Sequence, residues 1–296
     1  MSSRSFAHRA VHALARRFGA ADYAPSGHFY SPVLDRAEVA ASESRLWPAQ
    51  PRLPAGIDFN DASHRQLLEI EFPRYLADFD YAESGGASAA GRYSPDNPQF
   101  GWLDAKALFV LLRAWRPARV IEVGSGHSSL LMADVNKRFL GGNMHITCIE
   151  PYPEPFLRRA DCGIDRLVQA KVQDVPLEEF AALAAGDVLF IDSSHVSKAG
   201  SDVNHLFFEV LPRLAAGVRI HIHDVFLPFE YPRSWLLQGR SWNEQYLLQA
   251  LLMHSTAFSV VFGSSYCAWK FPELMHHTIA GTEAAAGGGS LWIEKR

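Results

Sequence analysis

Short apolar runs recur through the second half of the chain, and most of them end in a polar or acidic residue. Runs of this length that are apolar throughout are typical of strands buried on both faces of a sheet. Helical periodicity between several of them indicates crossover helices, so the pattern predicts an α/β fold with a doubly wound, mostly parallel, seven-stranded Rossmann-like sheet. The predicted strands are Val120–Val123, Ile146–Ile149, Leu167–Val172, Asp187–Ile191, Val218–Ile222, Ala257–Phe262 and Ser290–Glu294.

Apolar residues at helical spacing predict helices before, between and after these strands. A helix after the fourth strand carries its apolar face from Val203 to Leu214, and Gly217 follows its end. Ser128 is a natural N-cap for the helix that follows the first strand. The other predicted helices are Ala62–Phe79, entered through Asn60 or Asp61, Ala105–Ala114 and Trp242–His254, whereas Tyr266–Met275 has no clear assignment.

The first third of the chain has a different character. Residues 21–100 are rich in Pro, Gly, Ser and aromatic side chains, with one convincing helix and a Gly/Ser/Ala-rich loop at Glu83–Gly91. Met1–Ala20 predicts a basic amphipathic helix, which we interpret as a docking helix rather than a membrane contact. The predicted organisation is therefore an N-terminal helix and cap over residues 1–104, followed by a cofactor-binding domain over residues 105–296. The cap loops suit a lid over a polar small molecule, but aromatic anchors that pin a loop to the core are as common.

Composition narrows the classes of partner. The chain has 296 residues, 48% of them hydrophobic, and a net charge of −4. It has no dense basic patch with interleaved aromatics, so nucleic acid is not an expected partner. Its longest apolar runs are shorter than the ~20 residues of a membrane span. The three cysteines, Cys148, Cys162 and Cys267, lack metal or redox spacing and suit a reducing cytoplasm. The oligomeric state stays open, and a homo-oligomer is allowed.

The first strand leads into the most informative segment of the chain. Glu122 lies in this strand, and Gly124, Ser125 and Gly126 follow it before a helix begins. An acid can hold an ammonium group, and glycines let a ligand approach the backbone, so the segment predicts a nucleoside-cofactor pocket. Glu150, at the end of the second strand, can accept both ribose hydroxyls. A dinucleotide fingerprint is the alternative, but it needs a third glycine where this chain has Ser129.

The fourth and fifth strands end in acids and histidines. Asp192 and His195 follow the fourth strand, and His223 and Asp224 follow the fifth. Neighbouring strand ends lie about 4.8 Å apart, so the two acids can share a divalent cation, which would offset the cost of burying them. His195 is then placed to act as a general base, unless it merely caps the following loop. His221 lies within the strand, and we interpret it as a packed core histidine.

These segments resemble the class I S-adenosylmethionine-dependent methyltransferases over Pro117–Arg296. The shared motifs are an acid followed by Gly-x-Gly after strand one and a second acid ending strand two. The resemblance implies a methyltransferase sheet and S-adenosylmethionine as the cofactor. It also places Asp174, after strand three, at the adenine amino group, although Asp174 could instead cap the next helix. The implied cofactor-binding residues are Glu122, Gly124, Ser125, Gly126, Ser129, Glu150, Asp174 and Asp192.

The Asp-x-x-His pattern after strand four, with a later acid after strand five, resembles metal-dependent O-methyltransferases that modify sugars of natural products. That resemblance implies His195 as the catalytic base and Mg²⁺ held by Asp192 and Asp224. Catechol-type relatives have an acid where this chain has His223, which we include as a third candidate ligand. The implied reaction is methyl transfer to a hydroxyl of a sugar or other secondary metabolite, with Arg233, Asn243 and Glu244 as candidate acceptor contacts. A hydroxylase-like enzyme of related fold and a non-catalytic cofactor-binding scaffold remain alternatives, as does N- or C-methylation.

Overall fold

The computed structural model describes residues 23–81, 93–97, 99–279 and 288–296. The chain forms two compact units. The first combines the residues up to Pro51 with Glu230–Ser241, and the second combines Arg52–Phe229 with Trp242–Arg296. The predicted helix at Met1–Ala20 and the loop at Glu83–Gly91 lie outside the described residues. No helix in the described part of the chain has the length together with the apolar composition that crossing a bilayer demands.

The strands of the second unit form a single seven-stranded sheet in the order β3-β2-β1-β4-β5-β7-β6. Strands β1 to β5 are parallel, whereas β7 is antiparallel to both β5 and β6. This order confirms the predicted doubly wound fold. The strands are β1 (Arg119–Val123), β2 (His145–Ile149), β3 (Arg166–Val168), β4 (Val188–Ile191), β5 (Arg219–Ile222), β6 (Phe258–Gly263) and β7 (Leu291–Lys295).

Helices connect and flank these strands. In chain order they are α1 (Arg36–Ala41), α2 (Glu43–Leu46), α3 (Asp61–Gln66), α4 (Phe72–Leu76), α5 (Trp102–Trp115), α6 (His127–Phe139), α7 (Leu177–Ala181), α8 (Asp202–His205), α9 (Arg233–Gln238), α10 (Glu244–His254), α11 (Ser264–Lys270) and α12 (Pro272–Ile279). One π-helical turn, Leu67–Glu71, joins α3 to α4, and another, Leu206–Val210, extends α8. Single 3₁₀ turns lie at Pro155–Arg158, Val172–Asp174 and Leu211–Arg213.

The first unit is built on α1, α2 and α9. Asp35 caps α1 by accepting a hydrogen bond from the Ala37 amide at 2.8 Å. Arg233, the first residue of α9, pairs with Glu43 at 2.9 Å. The indole of Trp47 donates to the Tyr231 carbonyl at 3.0 Å. Between residues 21 and 60 the sequence predicted no helix, because α1 and α2 are too short to show an apolar periodicity.

The parallel strands end level with one another. Val123 at the end of β1 is paired with Ile149 in β2 and with Ile191 in β4, and Ile191 is paired with Ile222 in β5. The next residue of each strand therefore lies at the same edge of the sheet. At the opposite edge, Asp187 precedes β4 and binds Arg119, with 2.7 Å between carboxylate and guanidinium and 3.0 Å from its carboxylate to the Arg119 amide.

The core of the second unit lies on both faces of the sheet. All four residues of β4 are buried, which explains why this strand is apolar throughout. Val120, Ile146 and Ile220 in the neighbouring strands are buried as well. Residues before position 105 also contribute, because Phe59, Leu68 and Phe72 belong to the same apolar cluster. The predicted division into residues 1–104 and 105–296 stays a prediction.

The structure corrects several predicted elements. Strand β3 ends at Val168 and not at Val172, because the Ala170 amide turns back to the Val168 carbonyl at 3.0 Å. The helix expected from Trp242 begins at Glu244, and the one expected at Ala62–Phe79 is helical from Asp61 to Leu76, with Asn60 as its N-cap. The unassigned segment Tyr266–Met275 lies in α11 and α12.

Candidate active site

The loop after β1 packs tightly against the end of β4. Gly124 has φ +81°, and a Cβ atom placed there would lie 1.7 Å from the Asp192 carbonyl oxygen. The Asp192 amide also donates to the Val123 carbonyl at 2.9 Å. A side chain at position 124 would therefore displace the first residue after β4 as well as require a strained backbone. The absent side chain of Gly124 makes room for protein backbone, whereas Gly126 has no atom closer than 3.9 Å to the corresponding position.

Glu122 is completely buried beneath this loop. Its carboxylate accepts hydrogen bonds from the Ser128 hydroxyl at 2.5 Å, from the Ser129 hydroxyl and from the Cys148 thiol at 3.3 Å. Burial raises the pKa of Glu122 to about 7 even though these donors lower it. Its described contacts thus connect β1 to the start of α6 and to β2.

The start of α6 differs from the prediction. The N-cap is Gly126 and not Ser128, because the Ser128 hydroxyl is directed to Glu122. Ser129 accepts from the Gly126 amide at 3.0 Å while donating to Glu122, so it satisfies the helix start and the buried acid together. The buried Ser129 side chain therefore fixes the conformation of the loop after β1 from its buried side.

Glu150 follows β2 and is partly buried. Its carboxylate accepts from the Ser125 amide at 3.3 Å and from the Tyr152 amide at 2.8 Å. Two backbone amides from different segments thus fix the orientation of this carboxylate next to the glycine loop. Asp174 is exposed at the end of a 3₁₀ turn. Because the N-cap of α7 is Pro176, the alternative that Asp174 caps that helix is wrong.

Asp192, His223 and Asp224 form a compact cluster at the ends of β4 and β5. One potential ligand atom from each of the three lies within 4.8 Å of the others. The Nδ1 atom of His223 lies 3.5 Å from Asp192 Oδ1 and 3.6 Å from Asp224 Oδ1. The two predicted acids therefore do meet, with an imidazole nitrogen beside them. Asp224 adopts a left-handed backbone with φ +56°, which is uncommon outside glycine.

His195 lies next to this cluster and is held from both sides. Its Nε2 atom is 3.3 Å from Asp192 Oδ1 and 3.3 Å from Asp224 Oδ2. Its Nδ1 atom is 3.0 Å from Glu244 Oε2, and the Glu244 carboxylate is almost completely buried. The His195 carbonyl accepts from the Glu244 amide at 3.2 Å, and its backbone is left-handed with φ +60°. The start of α10 therefore fixes both the backbone and the imidazole of His195.

Asp104, in the first turn of α5, completes the surroundings of His223. Its Oδ2 atom lies 3.4 Å from His223 Nε2, an ion-pair distance longer than a usual hydrogen bond. The buried carboxylate also accepts from the Ser264 hydroxyl at 2.7 Å and from the Gly289 and Ser290 amides at 2.9 and 3.1 Å. A Cβ atom at Gly288 would lie 2.1 Å from Asp104 Oδ1, so this close approach requires a glycine at position 288.

The charges of the site are strongly coupled. Burial raises the pKa of Asp192, but His223 and His195 lower it more, so the net shift is downward. Burial lowers the pKa of His195, but Asp192 and Glu244 raise it more, to about 10. Burial raises the pKa of Asp224 and of Glu244. Even with both imidazoles protonated, negative charge is in excess, since two histidines face four carboxylates: Asp104, Asp192, Asp224 and Glu244.

Comparison with known proteins gives this architecture a family. A family model described as a methyltransferase domain matches residues 121–225, from β1 to just beyond the end of β5. An uncharacterised protein of Archaeoglobus fulgidus is 39% identical over 165 residues, which cover 54% of this chain and 73% of that protein. The chain belongs to the class I S-adenosylmethionine-dependent methyltransferases.

Several solved structures are similar to this methyltransferase. The O-methyltransferase TomG of Streptomyces achromogenes, which is involved in tomaymycin synthesis, is 15% identical, with a TM-score of 0.38 over 87% of this chain and 95% of that chain. An O-methyltransferase of Bacillus cereus is 13% identical, with a TM-score of 0.39 over 88% and 97%. A methyltransferase candidate of Thermobifida fusca is 13% identical, with a TM-score of 0.42 over 66% and 79%. Similarities of this extent do not identify an acceptor.

The methyltransferase site contains two residues whose role sequence reasoning missed. Asp104 directly precedes the predicted helix Ala105–Ala114 and received no predicted role, and Glu244 was predicted only as one of several acceptor contacts. Glu244 instead lies 3.0 Å from His195 Nδ1, and Asp104 lies 3.4 Å from His223 Nε2. The only signal in the sequence was that each acid lies at the start of a predicted helix. Acids are common at the start of surface helices too, so this position did not indicate a role in the site. His221 is a packed core histidine as expected, stacked on Phe190 with ring centroids 3.8 Å apart.

Proposed function

We propose that this methyltransferase transfers a methyl group to a hydroxyl of a small molecule, such as a sugar or other secondary metabolite. The observation that carries the proposal is the environment of His195. Its Nδ1 atom is 3.0 Å from the buried Glu244 carboxylate, and its Nε2 atom faces the two acids after β4 and β5. An imidazole oriented in this way by a buried carboxylate is the arrangement of a general base.

The cofactor is proposed to lie along the ends of β1, β2 and β4. The fixed carboxylate of Glu150 supports a ribose contact, and the open position at Gly126 supports close approach of a ligand to the backbone. The contacts of Glu122 and Ser129 support a role in shaping the loop. S-adenosylmethionine supplies an electrophilic methyl group on a sulfonium. The proposed cofactor-binding residues remain Glu122, Gly124, Ser125, Gly126, Ser129, Glu150, Asp174 and Asp192.

His195 is proposed to take the proton of the acceptor hydroxyl at Nε2. Glu244 accepts the Nδ1 proton, so that the lone pair lies on Nε2, and it stabilises the imidazolium that forms. Holding the base in one orientation also lowers the entropic part of the barrier. The proton acceptor needs to be neutral, so the charge around it decides the pH range in which it acts.

Asp192, Asp224 and His223 are proposed to hold a divalent cation, for which Mg²⁺ is the first expectation. Two observations support this fit: the three donor atoms lie within 4.8 Å of one another, and the surrounding carboxylates outnumber the imidazoles. Such a cation supplies Lewis acidity that stabilises the charge of a deprotonated hydroxyl. The protein's own contribution is to keep two acids from different strands at one edge of the sheet.

The test is methyl transfer to a panel of glycosylated and polyhydroxylated acceptors, measured with a labelled methyl group. In His195→Ala we expect turnover to fall by roughly 10²–10⁴-fold, the usual contribution of general base catalysis. Calorimetry should show unchanged affinity for S-adenosylmethionine. His254→Gln, an exposed histidine at the end of α10, is the matched control and should keep full activity.

Two results would count against the proposal. Full activity in His195→Ala would remove the histidine from the mechanism. Cofactor binding without turnover on any hydroxyl acceptor, together with turnover on amines, would move the reaction from oxygen to nitrogen.

A further inference from the structure

We propose that His223 makes the cation site of this enzyme selective for a transition-metal dication, such as Mn²⁺ or Co²⁺, over Mg²⁺. This inference rests on the proposed function and specifies the metal of that same site. It concerns a residue at which this chain differs from an all-oxygen ligand set.

The donor chemistry of the cluster is mixed. Asp192 and Asp224 offer carboxylate oxygens, whereas His223 offers the Nδ1 nitrogen. Mg²⁺ is a hard ion that prefers oxygen ligands and keeps several waters, whereas imidazole nitrogen suits the first-row transition metals. Replacing one oxygen by a nitrogen therefore weakens a site for Mg²⁺ and strengthens it for Mn²⁺, Co²⁺ and Zn²⁺.

The spacing of the donor atoms lies at or just above the range expected for ligands of one shared ion. Ligand atoms about 2.1 Å from one ion are separated from each other by roughly 3.0–3.5 Å. His223 Nδ1 lies 3.5 Å from Asp192 Oδ1 and 3.6 Å from Asp224 Oδ1. These separations are too long for hydrogen bonds. The imidazole thus faces both acids without being bonded to either.

The far nitrogen of His223 lies close to the kind of group with which a metal-binding histidine usually pairs, at an ion-pair distance and without a hydrogen bond. Such a histidine generally directs its other ring nitrogen to a carboxylate or carbonyl, which fixes the tautomer and the ring orientation. Asp104 Oδ2 lies 3.4 Å from His223 Nε2, and three donors from Ser264, Gly289 and Ser290 hold the Asp104 carboxylate in place. The ring of Phe100, 5.3 Å away, covers one side of the imidazole. His223 is therefore preorganised with Nδ1 directed at the acids.

A different role for His223 makes the opposite prediction. A protonated His223 would be a counter-ion of the two acids, and it would then repel a cation. In that case removal of the imidazole would improve the binding of every divalent ion by a similar factor. The ratio of two metal affinities, rather than either affinity alone, separates the roles.

The experiment is calorimetric titration of MgCl₂, MnCl₂ and CoCl₂ into dialysed protein saturated with S-adenosylhomocysteine. The comparison is between wild type, His223→Asp and the exposed control His254→Gln. We expect the Co²⁺-to-Mg²⁺ affinity ratio to fall by roughly tenfold or more in His223→Asp and to stay unchanged in His254→Gln. The absorption spectrum of bound Co²⁺ should change in His223→Asp as a nitrogen ligand is lost.

His223→Gln gives a second measurement in case the aspartate does not fit, and binding of S-adenosylhomocysteine shows that each variant is folded. An equal affinity ratio in wild type and in the folded variants would overturn the inference, as would the absence of binding of any of the three ions. Absence of ion binding would also remove the cation from the proposed function, whereas an equal affinity ratio would leave the cation in place. Neither result would touch the proposed methyl transfer, because turnover by wild type and its loss in His195→Ala are measured separately.

Discussion

Two parts of the sheet are built in different ways: the carboxyl ends of β1 and β2, here called the first edge, and the carboxyl ends of β4 and β5, here called the second edge. At the first edge, the important contacts join residues within one short segment and its neighbouring strand, such as Glu122 with Ser128 and Ser125 with Glu150. At the second edge, each histidine depends on an acid from a distant helix, Glu244 or Asp104. The first edge is therefore a local structure, whereas the second is assembled only when the whole domain has folded.

The two edges are connected through Gly124, and the largest effect is expected there. Gly124→Ala would place a Cβ atom 1.7 Å from the Asp192 carbonyl oxygen at a left-handed φ of +81°. We expect a loss of about 3–5 kcal/mol in the free energy of unfolding, or failure to fold. Urea denaturation measures this loss of stability. Gly126→Ala, with no atom within 3.9 Å and an extended φ of −170°, should change the stability by about 1 kcal/mol or less. Equal losses in both variants would show that the edges are not coupled at Gly124.

At the second edge, removing the charge of Glu244 is expected to lower the rate of methyl transfer without unfolding the protein. Glu244→Gln keeps a hydrogen-bonding group near His195 Nδ1 but removes the anion, so we expect kcat to fall by roughly 10–100-fold with little change in KM. Because Glu244 helps to raise the pKa of His195, its removal lowers that pKa. The base then becomes neutral at lower pH.

The rising limb of the pH–rate profile of Glu244→Gln should accordingly move to lower pH. Glu209→Gln, a half-exposed acid, is the control and should keep the wild-type profile. If Glu244→Gln shows the wild-type limb and a reduced rate only, Glu244 acts on the fold and not on the charge of His195.

The smallest effect is expected at the first edge, for the pH dependence of stability. Burial raises the pKa of Glu122 to about 7, above the ~4.3 of an unfolded glutamate. The folded state therefore binds more protons between these values. The stabilisation is present below about pH 4 and is lost as the pH rises through about 7. In Glu122→Gln this dependence disappears.

Urea denaturation at pH 5 and pH 8 measures the difference. Relative to wild type, Glu122→Gln should gain about 2 kcal/mol of stability between the two pH values. Glu273→Gln, an exposed acid in α12, should follow the wild-type pH dependence. A constant offset between Glu122→Gln and wild type would mean that the carboxylate is ionised throughout.

The sequence was sufficient for the sheet and for the residues at its edge. Apolar runs such as Ile146–Ile149 predict buried strands because both faces of a parallel sheet are covered, and the acids after β4 and β5 follow directly from the strand ends. It was not sufficient for β3, since that strand ends in a backbone turn at Ala170 that carries no Gly or Pro signal. It was also insufficient for Asp104 and Glu244, because the pairing of an acid with a distant histidine depends on how helices pack on the sheet.

The ion pair between Arg119 and Asp187 has a consequence for how this enzyme can change in evolution. It lies at the edge of the sheet opposite the site and sets β1 level with β4. Because apolar residues fill both faces of β4, burial alone penalises a shift of its register only weakly. A shift of one residue would nevertheless replace Asp192 by a serine or an isoleucine at the strand end. Insertions and deletions should therefore be tolerated in the loops that follow the strands but not within β1 or β4. The loops can then diversify while the spacing of the acids at the strand ends is inherited unchanged.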